Sequence, residues 1–279
     1  MAQASPLWPA RLDHLWINAE DAAAMTAFYR DGLGYEVAET GAGSALLVGP
    51  ERRLVIGRGA AHSLGFHAFA LGDREQLERL RGHLMAAGLA LEPSPSPLFG
   101  DDAFAVRDPD GGQVVFGLAE AAHSGDALPA RLQHVVVQST GLGAMIDFYH
   151  DILGFVISDW VREQGGEATT CFLRSDPEHH SLAVFRAPQC RLDHHSYETT
   201  CWNDLRDWAD HFAELRVPLS WGPGRHGPGN NLFFMVHDPD GNWVEFSAEQ
   251  ELMPKEMAAR EWPHEERTLN SWGQGFLRS

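Results

Sequence analysis

Cysteine is scarce in this chain of 279 residues: Cys171, Cys190 and Cys201 are all there are. They form no even framework and no Cys-x-x-Cys pair, which excludes a disulfide scaffold and a thiolate zinc site and fits a reduced, cytoplasmic compartment. Basic residues are few, with Lys+Arg 21 against Asp+Glu 39 and a formal net charge of −18. Such a field repels phosphate backbones and anionic lipid, so neither nucleic acid nor a membrane surface is expected as a partner. No apolar run approaches the ~20 residues of a membrane span. Met1 to Arg11 lacks the basic region and apolar core of a signal peptide. Against these shortages stand 15 histidines, a surplus that invites a search for a metal site. Hydrophobic residues at 44% and charged residues at 22% are ordinary globular usage. The length suits two domains of about 150 residues or less.

The chain repeats itself. Arg11-Leu-Asp-His14-Leu-Trp-Ile reads against Arg131-Leu-Gln-His134-Val-Val-Val, and Phe28-Tyr29 against Phe148-Tyr149, both 120 residues apart. Asp108-Pro-Asp-Gly111 reads against Asp238-Pro-Asp-Gly241 at an offset of 130. Matched blocks in one order imply homologous halves. We place one domain at 1–120, a second at 131–250, a small polar join at 121–130 and a tail at 251–279. Each half divides again. Leu64-Gly-Phe-His67 and Leu192-Asp-His194-His195 read as strand starts. Leu77, Leu80 and Leu84, and likewise Leu205, Trp208 and Phe212, have the spacing of one buried helix face. Short strand-like runs follow, ending in the Asp-Pro-Asp-Gly turn, where Pro presets φ and Gly tolerates positive φ. The prediction is an α+β chain: strand, helix, three strands, four times over, with mainly antiparallel pairing.

Four βαβββ modules in two tandem domains resemble the vicinal oxygen chelate superfamily, in particular its two-domain extradiol catechol dioxygenases. The likeness spans about residues 11–250, with its specific motifs in the second half. Gly224-Arg-His226, Asp238-Pro-Asp-Gly241 and Glu245 match the family's spacing of His, Pro-x-Gly and Glu. One position departs: Met235 stands where the family carries Tyr, and methionine cannot donate a hydrogen bond. The resemblance implies an open barrel of mixed sheet in each domain, and the repeat, whose first half lacks the carboxylate, predicts a vestigial site there. It implies Fe(II), with Mn(II) as the alternative, held by His134, His194 and Glu245. His180 would be acid and base, and His226 would hydrogen-bond the substrate. Val136, Phe172, Trp221 and Met235 would face the substrate, a small aromatic diol cleaved with O2. A homo-oligomer is also implied.

The residue chemistry agrees in kind. Two histidines and one carboxylate with open positions suit non-haem iron. A carboxylate in the apolar run Trp243-Val-Glu245-Phe is costly unless paired or metal-bound. A lone histidine on an apolar strand is ordinarily a core residue, so the repeat serves as a control: we align His14 with His134, His67 with His194 and Val115 with Glu245. His195 competes with His194 as ligand, and we take His179 as structural. Val136, Phe172 and Trp221 have equally ordinary readings as packing residues. The tail, with Trp262, Trp272 and Phe276, would cap the site or serve as an interface arm. Two rivals remain: another metal enzyme of this fold (a glyoxalase-like isomerase or thiol transferase), and a metal-free binding protein of the bleomycin-resistance type.

Overall fold

The computed structural model describes residues 6–41, 43–119, 125 and 127–277. Part of the join, at 121–124 and 126, lies outside the described residues. The first half forms one mixed sheet. Strand β1 (Ala10–Ala19) is followed by α1 (Ala22–Leu33), β2 (Glu36–Gly41), β3 (Ser44–Gly49) and β4 (Arg52–Arg58). The second module follows with β5 (Ser63–Leu71), α2 (Arg74–Ala86), β6 (Glu92–Pro93), β7 (Phe104–Arg107) and β8 (Gln113–Leu118). The strand order is β2-β3-β4-β1-β5-β8-β7-β6. Thus β1 pairs antiparallel with β5, while β4 and β8 return parallel to them.

The second half repeats this plan with β9 (Arg131–Ser139), α3 (Leu142–Ile146), β10 (Val156–Arg162), β11 (Ala168–Arg174) and β12 (Leu182–Arg186). A wider π-type turn over Asp147–Leu153 extends α3. The last module is β13 (Arg191–Thr199), α4 (Trp202–Glu214), β14 (Trp221–Arg225), β15 (Leu232–His237) and β16 (Trp243–Ala248). The tail supplies β17 (Arg260–Pro263), which joins the sheet parallel to β10, and the short α5 (Glu266–Leu269). The sheet order is β14-β15-β16-β13-β9-β12-β11-β10-β17. Both sheets are mixed, as the resemblance implies, and their pairing is mainly antiparallel, as the repeat pattern predicts. No helix of the described residues is long and apolar enough to cross a membrane.

Local sequence explains the elements. Asp21 caps α1 by accepting from the amides of Ala23 and Ala24, and Gly34, at φ 67°, ends it. Asp73 caps α2 through Gln76. Leu77, Leu80 and Leu84 bury one face of α2, and Leu205, Trp208 and Phe212 bury one face of α4.

The halves grip each other through the two blocks that repeat most clearly. Tyr29 of α1 places its hydroxyl 3.1 Å from His195 Nε2 and donates to Asp238 Oδ2 at 3.1 Å. Tyr149, beyond α3, does the same in return, at 3.0 Å from His67 Nε2 and 3.1 Å from Asp108 Oδ2. The first aspartate of each Asp-Pro-Asp-Gly turn therefore does more than shape the turn. Its side chain accepts the amides of its own turn and the tyrosine hydroxyl of the other half.

This pairing corrects the expected alignment of His67. In β1–β5, Trp16 lies opposite Phe66 and Leu15 opposite His67. In β9–β13, Val136 lies opposite His194 and Val135 opposite His195. His67 is therefore the counterpart of His195, and Phe66 that of His194. The first half keeps only His14 on the inner face, surrounded by Phe66, Phe99 and Val115 in an apolar cluster. His14 Nε2 bonds Ser96 Oγ at 2.7 Å.

Candidate metal centre

Three adjacent central strands bring His134, His194 and Glu245 together. Along the sheet, His134 of β9 lies opposite Ser196 of β13, which lies beside Glu245 of β16. His194 stands two residues from Ser196 on the same face, by the alternation of a strand. The short side chain of Ser196 leaves a gap between the larger three. On the opposite face, Val244 and Phe246 join the hydrophobic core, which holds the strand's register.

The gap has the chemistry of a cation site. The amide of Gln133 donates to Glu178 Oε2 and the His180 carbonyl, so its oxygen is the atom 2.6 Å from His134 Nδ1. His134 therefore carries its proton on Nδ1 and turns an unprotonated Nε2 inward. His194 does likewise, donating from Nδ1 to Asp193 Oδ1 at 2.6 Å, while Gln138 secures Asp193 Oδ2 at 2.7 Å. The two Nε2 atoms lie 3.4 Å apart and 3.6 and 3.3 Å from Glu245 Oε2. Glu245 Oε1 accepts from Asn231 at 3.1 Å, whereas the buried Oε2 has no hydrogen-bond partner. The three inward-facing atoms converge on one point, and all three side chains are buried. Burial works against charge on His194, but Asp193 and Glu245 outweigh it and raise its proton affinity, so a metal-free centre draws a proton where a cation would sit. A divalent cation satisfies all three, and the Asp–His and Gln–His bonds are the outer supports such ligands ordinarily have. His195, in contrast, points to the opposite face and to Tyr29.

The triad forms the floor of a cavity of about 40 Å³ whose walls include His180, His226, Phe172, Trp221 and Met235. Phe185, Pro228, Thr268 and Leu269 complete it; these four were not foreseen from the sequence. Val136 does not line it but packs behind Phe172 and Phe185, because it lies beside Ala183 in the sheet. Met235 sits beside Glu245 in the β15–β16 ladder. Trp221 donates from Nε1 to the Gln274 carbonyl at 2.8 Å.

Two further imidazoles overlook the triad. The His180 ring lies 4.3 Å from that of His134 at a tilt of 46°, with Phe172 at 5.0 Å. His226 lies flat on Phe233 at 3.8 Å and donates from Nδ1 to the Leu269 carbonyl, which turns an unprotonated Nε2 toward Glu245 Oε1 at 3.8 Å. Burial holds His226 down at about 4, against the pull of Glu245 and the Leu269 carbonyl. Burial first, and the neighbouring imidazole of His134 next, hold His180 well below its ordinary value. Both are neutral near pH 7. The tail is seated over this wall: β17 lies along β10, and Arg174 donates to the carbonyls of Pro254, Lys255 and Met257.

A double βαβββ scaffold with one buried His-His-Glu centre defines a class. The profile of the glyoxalase/bleomycin resistance protein/dioxygenase superfamily matches residues 11–116 and again 131–246, and the chain belongs to that superfamily. Within it, the chain is 27% identical over 305 residues to "Metapyrocatechase 2" of Cupriavidus necator, covering 94% of this chain and 88% of that one. It is 28% identical over 255 residues to the "Iron-dependent extradiol dioxygenase" of Rhodococcus jostii (strain RHA1), covering 80% and 82%. Among solved structures, the Mn(II)-bound glyoxalase from Novosphingobium aromaticivorans superposes with a TM-score of 0.81 at 25% identity, covering 96% of this chain and 92% of that one.

Proposed function

We propose that this protein is an extradiol dioxygenase, opening a catechol-type ring beside its diol with O2. The observation that carries this is the company the triad keeps: three converging ligand atoms and two neutral histidines in one apolar cavity. His134, His194 and Glu245 would hold the metal, which we take to be Fe(II) with Mn(II) as the alternative. When bound, the metal supplies a Lewis-acidic centre with open positions for two vicinal oxygens and for O2.

The protein groups have distinct tasks. His180 takes a proton from one catechol hydroxyl and later returns it, work suited to an imidazole beside the reacting oxygens. The unprotonated Nε2 of His226 accepts a hydrogen bond from the other hydroxyl. Phe172, Phe185, Trp221, Met235 and Leu269 sandwich the ring and exclude water. Met235 offers no donor to a substrate oxygen, so the orienting hydrogen bond is the one that His226 accepts. No lysine or arginine lines the cavity among the described residues, so the fitting substrate carries alkyl or aryl substituents and no carboxylate. Thr268 and Leu269 of the tail close one side of the cavity.

The test is anaerobic purification, elemental analysis, and O2 uptake with catechol, 3-methylcatechol, 2,3-dihydroxybiphenyl and a carboxylated catechol. We expect one metal per chain, uptake with the uncharged diols and a yellow ring-opened product. Absence of metal-dependent uptake with every diol would sink the reading. The likeness to a Mn(II)-bound glyoxalase favours a second reading, isomerisation of a thiol–aldehyde adduct. Turnover of a hemithioacetal with no O2 uptake would establish it instead.

A further inference from the structure

Behind His180 stands a second imidazole that ring cleavage, as described, leaves idle. His179 is fully buried. Its Nε2 lies 2.9 Å from Asp159 Oδ2, and its Nδ1 lies 2.9 Å from His180 Nδ1. Asp159 of β10 is equally buried, and the tail grips it: Arg260 Nε donates to Oδ1 at 2.8 Å, Arg260 Nη2 to Oδ2 at 3.0 Å, and Trp262 Nε1 to Oδ2 at 2.8 Å. Glu251 holds the other edge of Arg260 at 2.7 and 3.0 Å. Burial alone would raise the Asp159 carboxyl, but His179, Arg260 and Trp262 outweigh it and keep it ionised.

These contacts fix where the protons sit. An ionised carboxylate only accepts, so His179 carries its proton on Nε2. Its Nδ1 is then a lone pair. A 2.9 Å contact between two ring nitrogens needs one proton, and that proton belongs to Nδ1 of His180. With Nδ1 turned toward His179, the other ring nitrogen of His180, Nε2, faces the cavity unprotonated, which is the form of a base. Gln250 Nε2 donates to the His180 carbonyl at 3.1 Å and sets its NH2 group 2.9 Å from the same Nδ1, a contact of two donors that favours passing the shared proton to His179.

We propose that His179, anchored on Asp159 by the tail residues Arg260 and Trp262, is the positioning residue of His180: it sets the tautomer of His180 and holds the proton that His180 takes up. The second part rests on the ring-cleavage reading. His180 Nε2 takes the proton of a catechol hydroxyl while its Nδ1 proton passes to Nδ1 of His179. His179 becomes an imidazolium against the Asp159 carboxylate, and His180, neutral again, carries its proton on Nε2, ready to be given back. One proton enters the pair and one leaves, with no other reactant. Gln250 supports the second state, since it can donate to His180 Nδ1 once that nitrogen has lost its proton. The charged and titratable groups facing His179 are Asp159, Arg260, Glu251 and His180.

The test uses the full chain in two forms. In the zinc-loaded protein, nitrogen NMR of labelled histidines should show His180 protonated on Nδ1 and His179 on Nε2; a proton on Nε2 of resting His180 would overturn the assignment. In the iron-loaded protein, His179→Asn keeps an oxygen to accept from His180 but cannot take its proton. We expect kcat to fall ~100-fold, within the range of a lost acid–base contribution, with KM for the diol within ~3-fold and iron content unchanged. A kcat within ~3-fold of the parent would refute proton storage. If the parent consumes no O2 with any diol, ring cleavage fails, and the tautomers read by NMR still decide the role of His179.

Discussion

Glu245→Gln should remove the protein's response to metal. Glu245 Oε2 lies 3.3 Å from His194 Nε2 and 3.6 Å from His134 Nε2, as three ligands about one ion would. Burial works against charge on His194, but Asp193 and Glu245 outweigh it and raise its proton affinity, so a metal-free centre draws a proton where the cation would sit. Glutamine keeps an oxygen for Asn231 and puts an NH2 group, which cannot bind a cation, in front of the two imidazoles. The parent gains about 4 kcal/mol from a metal present at ~1,000 times its Kd, a rise in Tm of roughly 8–16 °C, since chains of this size shift by ~2–4 °C per kcal/mol. The variant should show no such rise. Differential scanning fluorimetry in chelator and then in excess Mn(II) or Zn(II) measures the difference. A variant that still rises fully with metal would refute the claim that these three atoms are arranged for a cation.

Asp193→Ala removes the acceptor that fixes His194 and should weaken metal affinity ~10–100-fold, read by competition with a fluorescent chelator; undiminished affinity would show that strand geometry alone orients the ligand. Tyr29→Phe leaves His195 without its hydroxyl partner, and should cost about 1–3 kcal/mol in chemical denaturation with metal content unchanged. Glu198, half-buried against Ser247 and Gln250, is raised to about 7 chiefly by desolvation. Its folded value lies above the ordinary 4.5, so the folded chain holds the extra proton between those values and stability falls as pH rises from about 4.5 to 7. Glu198→Gln should flatten that slope and make the protein more stable than the parent at pH 8; an unchanged slope would show that another group titrates there.

The repeat made the fold legible, because each module carries its own helix periodicity and its own turn. The inner-face residues were legible where they lie in matched blocks, as His134 and Glu245 do. His67 was misaligned because a histidine was matched to the wrong member of a pair. Leu64 and Leu192 stand 128 residues apart, and so do His67 and His195; that flanking leucine carried the correct offset. Val136 shares the face of His134, but alternation along a strand does not say which side chains on one face reach the cavity and which fill the sheet behind it. The supports of the site lay beyond local pattern. Asp193 and Gln133 read as ordinary strand residues until their neighbours are known. Asp159 gains its meaning from Arg260 and Trp262, about a hundred residues away in a tail that belongs to no repeat.

The crossed tyrosines have a further consequence. Tyr29 reaches the Asp238 turn as Tyr149 reaches the Asp108 turn, so the contact of first half with second is returned by second with first. That reciprocity is the mark of a self-complementary, isologous interface, normally found between identical subunits related by a two-fold axis. The molecule is arranged as a homodimer fused into one chain would be, with the proposed centre in the second half and Phe66 and Phe99 packed around His14 in the first. The first half, outside the proposed centre, is still half of the interface. Although every residue of the proposed centre lies after residue 130, cutting the chain there would strip His195 and Asp238 of Tyr29, and with it the backing of the strand that presents His194.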